Sequence, residues 1–275
     1  MKVKNHKQVR EDLKEYYRDA ELWLPDDPSH RVFKVRKLDD DGEVHFTLIR
    51  DRITSKSKLR KQLVNLTPID CYHSVSMFLN PTITREKTWK KKGDGRKHID
   101  KNGFMYSDVV IDMDHTDREE VARLYDYLDE NVDTSIYIVY SGGGWHINLR
   151  KWYRNRSIQN PIEREKDFEQ QAQNLANLLI REGFEFDYQV QDSGKINSPT
   201  TDTRRVRKLP GTVTSYGNRS EVVGREELFD YSPTQVMSTI DTFNNELNFN
   251  TYCKEVNNSG GTDSRVLLEN TKSES

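Results

Sequence analysis

The stretch SDVVIDMD at 107–114, running into TDREEVARLYDYL, constrains this chain more than any other part of it. Val109, Ile111 and Met113 alternate with Asp112 and Asp114, the period of a strand with one apolar face. Asp117 then stands three residues before Glu120, the spacing of a capping box, and Val121, Leu124, Tyr125 and Leu128 follow at helical intervals. A strand that passes into a capped amphipathic helix predicts a helix packed on a sheet. IYIVY at 136–140 and WHINL at 145–149 read as two more strands, broken by Gly142, Gly143 and Gly144. Phe168, Ala172, Leu175 and Leu179 give a second helix that stops at Gly183, and FEFDYQV at 184–190 reads as a fourth strand.

Ahead of this region, residues 1–20 read as a charged helix and PDDPSH at 25–30 as a break. RVFKV and VHFTLI suggest paired strands around DDDGE, and SKSKLRKQLVNL a basic helix ending before Pro68. The expected organisation is a first region over 1–106 with a basic loop at 85–97, a second over 107–244, and a mobile tail over 245–275 rich in Asn, Ser, Thr and Gly. The first residues lack an apolar leader core and no apolar run is long enough to span a bilayer, so a cytoplasmic chain without a membrane partner is expected. Two cysteines, far apart, are too few for a zinc site of cysteines alone, so no zinc is expected and any metal falls to oxygen ligands, with or without histidine. A formal charge of −2 argues against wholesale coating of nucleic acid.

Three patterns carry chemistry. Asp112 and Asp114 leave one face of a strand with Cα atoms roughly 6–7 Å apart, which suits bridging of divalent cations on triphosphate oxygens, although a bare pair of this kind is also common as solvated carboxylates. In SGGGWH at 141–146, small residues let backbone amides approach a phosphate, and His146 stands where it can donate to one; a tight hairpin is the plain alternative. RRVRKLPGT places Arg204, Arg205, Arg207 and Lys208 ahead of a Pro-Gly turn, which suits phosphate, although taken alone the segment reads first as a basic helix end capped by Asp202.

Taken in order, VVIDMD, YSGGGWH, the FD at 186–187 and KLPG at 208–211 resemble the signatures of the archaeo-eukaryotic primase superfamily, and HRVFKV and PIDCYHSVSMFLNP are similar to the lead-in of its small subunits. The resemblance spans about residues 30–225. It implies an α/β (α+β) catalytic core, an antiparallel RRM-like sheet flanked by helices, with an N-terminal lobe. It also implies a DNA primase-like nucleotidyltransferase that builds primers on single-stranded DNA from nucleoside triphosphates, with Mg²⁺ or Mn²⁺ as cofactor. On this resemblance the metal ligands and catalytic acids are Asp112, Asp114 and Asp187, with Asp202 as the alternative third acid. The nucleotide contacts are Ser141, Gly142, His146, Arg207 and Lys208, and the partners implied are a primase large subunit or a replicative helicase. This chain lacks the family's usual arginine in the glycine loop and carries Thr214 where a histidine is common. Those departures motivate a second reading, a non-catalytic nucleic-acid-binding subunit of a replication assembly; a metal nuclease is a third. In the basic loop, Trp89 beside Lys90, Lys91 and Lys92 suits template binding by stacking and phosphate neutralisation.

Overall fold

The alternation of Phe33 and Val35 with Lys34 and Arg36 is built as a strand, and the DDDGE segment behind it as a turn closed by Asp39, whose Oδ1 accepts from the backbone N–H of Asp41 at 2.9 Å and of Glu43 at 2.8 Å. The computed structural model describes residues 5–83, 102–114 and 116–237. Trp89, Lys90, Lys91, Lys92 and the tail over 245–275 lie outside the described residues. In chain order the elements are α1 (His6–Asp19), β1 (Phe33–Leu38), β2 (Val44–Ile49), α2 (Lys56–Leu66), β3 (Pro68–Ser74), β4 (Ser76–Phe78) and β5 (Phe104–Met113). They continue with α3 (Arg118–Asn131), β6 (Ile136–Tyr140), β7 (Trp145–Tyr153), α4 (Pro161–Arg181), β8 (Gln189–Val190), β9 (Ile196–Asn197), β10 (Val206–Lys208) and β11 (Glu221–Val223).

The strands form a mixed α/β fold in which every strand pair among the described residues is antiparallel. One sheet has the order β10-β3-β1-β2 and the other β11-β6-β7-β5-β4, with β8 and β9 as a separate hairpin. Phe33, Val35 and Cys71 of the first sheet pack on Val9, Leu13 and Tyr17 of α1 and Leu59 and Leu63 of α2. The second sheet buries Ile111, Ile138 and Ile147 with Val121, Leu124 and Leu128 of α3 and Phe168, Ala172 and Leu175 of α4. Asp117 caps α3 as expected, its Oδ1 accepting from the Glu120 N–H at 2.8 Å. The two sheets exchange strands across residue 106, since β4 joins the second sheet and β10 the first. No helix of the described residues is long and apolar enough to cross a membrane.

Three expectations are corrected. FEFDYQV is not a fourth strand of the main sheet: only Gln189–Val190 is strand, in the side hairpin, and the segment touches the ladder through one bond, Asp187 N–H to the Asp112 carbonyl at 2.8 Å. The edge of β5 that a fourth strand needs is taken along its first half by β4. The basic run is not a helix end either, because Val206–Lys208 pairs with Ser74–Tyr72 as β10, and Asp202 instead accepts from the Arg204 N–H at 2.8 Å in the preceding turn. Finally, β5 has no open face at its centre: Val109, Val110, Ile111, Asp112 and Met113 are all buried.

The reason is a polar network that joins the sheets. Asp108 on β5 takes Arg31 Nη2 at 2.8 Å and Arg207 Nη2 at 2.9 Å on Oδ2, while its Oδ1 accepts from the Lys151 N–H at 2.7 Å. Arg207 also donates from Nε to His73 Nε2 at 3.0 Å and reaches Asn148 Oδ1. Burial, then Arg207 and Arg31, hold the His73 pKa well below the usual histidine range, so a neutral ring accepts from Arg207 and gives Nδ1–H to the Ser74 carbonyl at 3.0 Å.

Candidate active site

Register brings the first acid to the histidine: Asp112 on β5 stands opposite His146 on β7, and His146 Nε2 lies 3.3 Å from Asp112 Oδ1. Asp114, one residue past the end of β5, completes a group of ligand atoms from Asp112, Asp114 and His146 that all lie within 4.8 Å of one another. The glycine run makes this approach possible. A Cβ on Gly144 would stand 2.3 Å from the Asp114 Cα, and one on Gly142, whose φ is +105°, would stand 2.6 Å from Thr214 Oγ1. The turn is therefore pressed directly against the second acid and against the buried Thr214. Gly144→Ala is expected to cost about 1–3 kcal/mol through overpacking against backbone. Thermal unfolding checks this, and an unchanged midpoint would show that the turn has room to move.

On its other side Asp112 Oδ2 accepts from Arg205 Nη2 at 2.7 Å. Burial pushes the Asp112 carboxyl up, but His146 and then Arg205 outweigh it and bring the pKa down to about 2, so the carboxylate is charged. The donor set fits a hard divalent ion: two carboxylates and an imidazole are in reach of one another, and among the described residues the buried His146 Nδ1 has no hydrogen-bond partner.

These residues line a cleft of about 310 Å³ whose opposite wall comes from the first sheet. Ser141 is in the lining, and its Oγ and N–H both donate to the Gly144 carbonyl, at 3.1 Å and 2.9 Å, closing the turn. Gly143 rather than Gly142 faces the cleft. Lys208 reaches the lining but is held by an ion pair to Asp70 and lies 3.1 Å from Tyr72 Oη. Asp70 is fully buried and also takes Arg36 Nη1 at 3.3 Å and the Ser215 N–H at 3.1 Å. Arg207, expected on the nucleotide, is also in the lining, with a side chain 2% exposed and a guanidinium bonded to Asp108, Asn148 and His73.

Asp187 and Asp202, the two candidates for a third acid, are outside the Asp112–Asp114–His146 group and line a neighbouring cleft of about 390 Å³. Arg205 lines both clefts. Sequence reasoning missed Asp70, Arg36, Phe46 and Tyr72. The period-2 alternation through 33–38 and 44–49 carried a signal for one shared face, but not which strands lie side by side.

Comparison with known proteins gives one curated relative, the DNA primase small subunit PriS of Methanococcoides burtonii, 28% identical over 161 residues, covering 54% of this chain and 40% of the relative. The match thus spans well under two thirds of that protein. The resemblance to archaeo-eukaryotic primases read from the motifs is borne out by this relative. No family model matches. Among solved structures, the polymerase domain of Mycobacterium tuberculosis Ligase D in complex with DNA aligns at TM-score 0.48 and 11% identity, over 86% of this chain and 89% of that one. The catalytic domain of primase RepB′ in complex with initiator DNA aligns at TM-score 0.36 and 9% identity, over 89% and 96%.

Proposed function

We propose that this primase-like chain is a template-directed nucleotidyltransferase that makes primers on single-stranded DNA. One observation carries the reading: Asp112, Asp114 and His146 converge on a cleft whose facing wall brings Arg205, Lys208 and Arg36, so ligands for a cation and groups for a polyphosphate share one space. Asp112 and Asp114 hold Mg²⁺ or Mn²⁺ here, with His146 beside them, and Asp187 joins from the next cleft as third acid. When bound, the ion neutralises triphosphate oxygens and favours attack of a 3′-hydroxyl on the α-phosphate with pyrophosphate as the leaving group. The chain's own part is positioning. Ser141 and the Gly143 backbone shape the floor beneath the phosphates, Lys208, paired to Asp70 and with its pKa pushed well below the usual lysine range by burial and then by Arg36, offers a hydrogen-bond donor, and Arg205 stands on Asp112, from which it can pass to phosphate. Trp89, Lys90, Lys91 and Lys92 are assigned to the template, and a large subunit or replicative helicase to the assembly.

The test is primer synthesis by the full chain on unprimed single-stranded DNA with Mg²⁺ or Mn²⁺, supplied with ribonucleotides or deoxyribonucleotides. Products longer than a dinucleotide in either pool are expected. A second reading draws on the position of Asp187 outside the ligand group: a nucleic-acid-binding subunit of a replication assembly without turnover. Tight binding of single strands with no incorporation in any pool would decide for it.

A further inference from the structure

The outer face of the first sheet has a composition that packing does not explain. Residues directly opposite one another on paired strands share a face, and the register puts Lys208, Tyr72 and Lys34 in one row and Asp70, Arg36 and Phe46 in the next. The opposite face, with Phe33, Val35 and Cys71, is the one buried under α1 and α2. Phe46 is left 40% exposed, and of the large apolar side chains exposed among the described residues it is the one that lines the cleft of Asp112 and Asp114. Its ring lies 6.2 Å from that of Tyr72 at 49°, forming a corner in which a flat group stacked on one ring meets the edge of the other. Lys34 Nζ sits 4.3 Å over the Phe46 ring and Lys208 Nζ 4.6 Å over the Tyr72 ring, so each π face already attracts a cation.

We propose that Tyr72 and Phe46 seat the nucleobase of the incoming nucleoside triphosphate. The proposal rests on the function inferred above and adds where the base goes. An aromatic corner ringed by cations suits a ligand that is flat at one end and anionic at the other. A cleft of about 310 Å³ that also holds Asp112, Asp114 and Lys208 is on the scale of one small ligand. A strand of template, by contrast, needs a groove that tracks its backbone beyond a single site. The base takes the place of Lys34 on the Phe46 ring, and the displaced ammonium is left to meet phosphate. Because base stacking on an aromatic ring is sequence-tolerant, the seat accepts any of the four bases and leaves base choice to the template.

The experiment uses a 2-aminopurine nucleoside triphosphate, whose emission is quenched on stacking, titrated into the full chain with Ca²⁺. Quenching is expected for the wild type. Phe46→Leu and Tyr72→Leu should each lose quenching and weaken binding roughly 5- to 100-fold, whereas Tyr72→Phe should keep both. Inorganic triphosphate should bind the wild type and both leucine variants alike, showing that the phosphate site and the fold are intact, and affinity for single-stranded DNA should not change. Unaltered quenching and affinity in both leucine variants would overturn the base seat, as would loss of single-strand affinity with nucleotide binding unaffected. If the wild type binds neither the nucleotide nor inorganic triphosphate, the nucleotidyltransferase reading itself fails and the base seat with it. Triphosphate binding without quenching removes the base seat alone.

Discussion

Asp112→Asn and Asp114→Asn are each expected to lower nucleotide incorporation on single-stranded DNA by at least about a thousandfold, because an ion's charge stabilisation is worth several kcal/mol and each 1.36 kcal/mol is about tenfold in rate. Asparagine keeps the volume of Asp112, which matters because that residue is 3% exposed and wedged between His146 and Arg205. Truncation to alanine would confound lost ligation with a cavity. Arg205 is 42% exposed on its side chain and can turn to solvent when its partner loses charge, so the fold should survive, with a thermal midpoint within a few degrees of wild type. A second readout is Mn²⁺ binding followed by electron paramagnetic resonance, which should weaken in step with activity. Asp187→Asn should match the pair if Asp187 is the third acid, and Asp202→Asn should not. Full activity in both the Asp112 and Asp114 variants would sink the metal-dependent reading.

The second large effect is on stability. Asp108→Ala is expected to destabilise the chain by about 3–5 kcal/mol, the usual cost of breaking a buried pair and leaving the other charge uncompensated. Here two guanidiniums are stranded: the side chains of Arg31 and Arg207 are 1% and 2% exposed. On a chain of this size that corresponds to a fall of about 6–20 °C in the melting midpoint, read by differential scanning calorimetry. The same residue sets an acid limit. Burial pushes the Asp108 carboxyl up, but Arg31 and Arg207 outweigh it and hold it below the usual carboxylate range. A depressed folded pKa means the stabilisation is fully present above the unfolded value of about 3.9 and is lost as pH falls through the folded one. Wild type should therefore lose stability below about pH 4, and Asp108→Asn should flatten that slope. A variant as stable as wild type at neutral pH would show that the sheets are joined by their apolar cores alone.

The purpose of that network bears on the site. β10 carries Arg207 and Lys208, with Arg205 one residue ahead of it, and because Arg207 is anchored across the sheets to Asp108 and Asn148, the residues beside it are delivered to the cleft. Arg207 thus holds in place the strand that presents Lys208 to the cleft.

Much was written locally in the sequence. The β5 strand, the capped α3, the β6–β7 glycine turn and the paired β1 and β2 were legible because each depends on periodicity, capping or turn chemistry within a dozen residues, and Asp112 and Asp114 as metal ligands and His146 as a phosphate contact were each singled out by a short motif, their meeting as one group being visible only in the structure. What could not be read was anything that depends on which distant segments pair. That Val206–Lys208 is strand and not helix was decided by the open edge of β3, which a basic run joins as readily as it ends a helix. The burial of Arg207, the hold of Asp70 on Lys208, and the meeting of Phe46 with Tyr72 beside Asp112 all follow from register across two sheets. The residue types and their spacing determined which chemistry this chain can offer. Only the non-local strand pairing decided which of its charges face the cleft and which are consumed in holding it together.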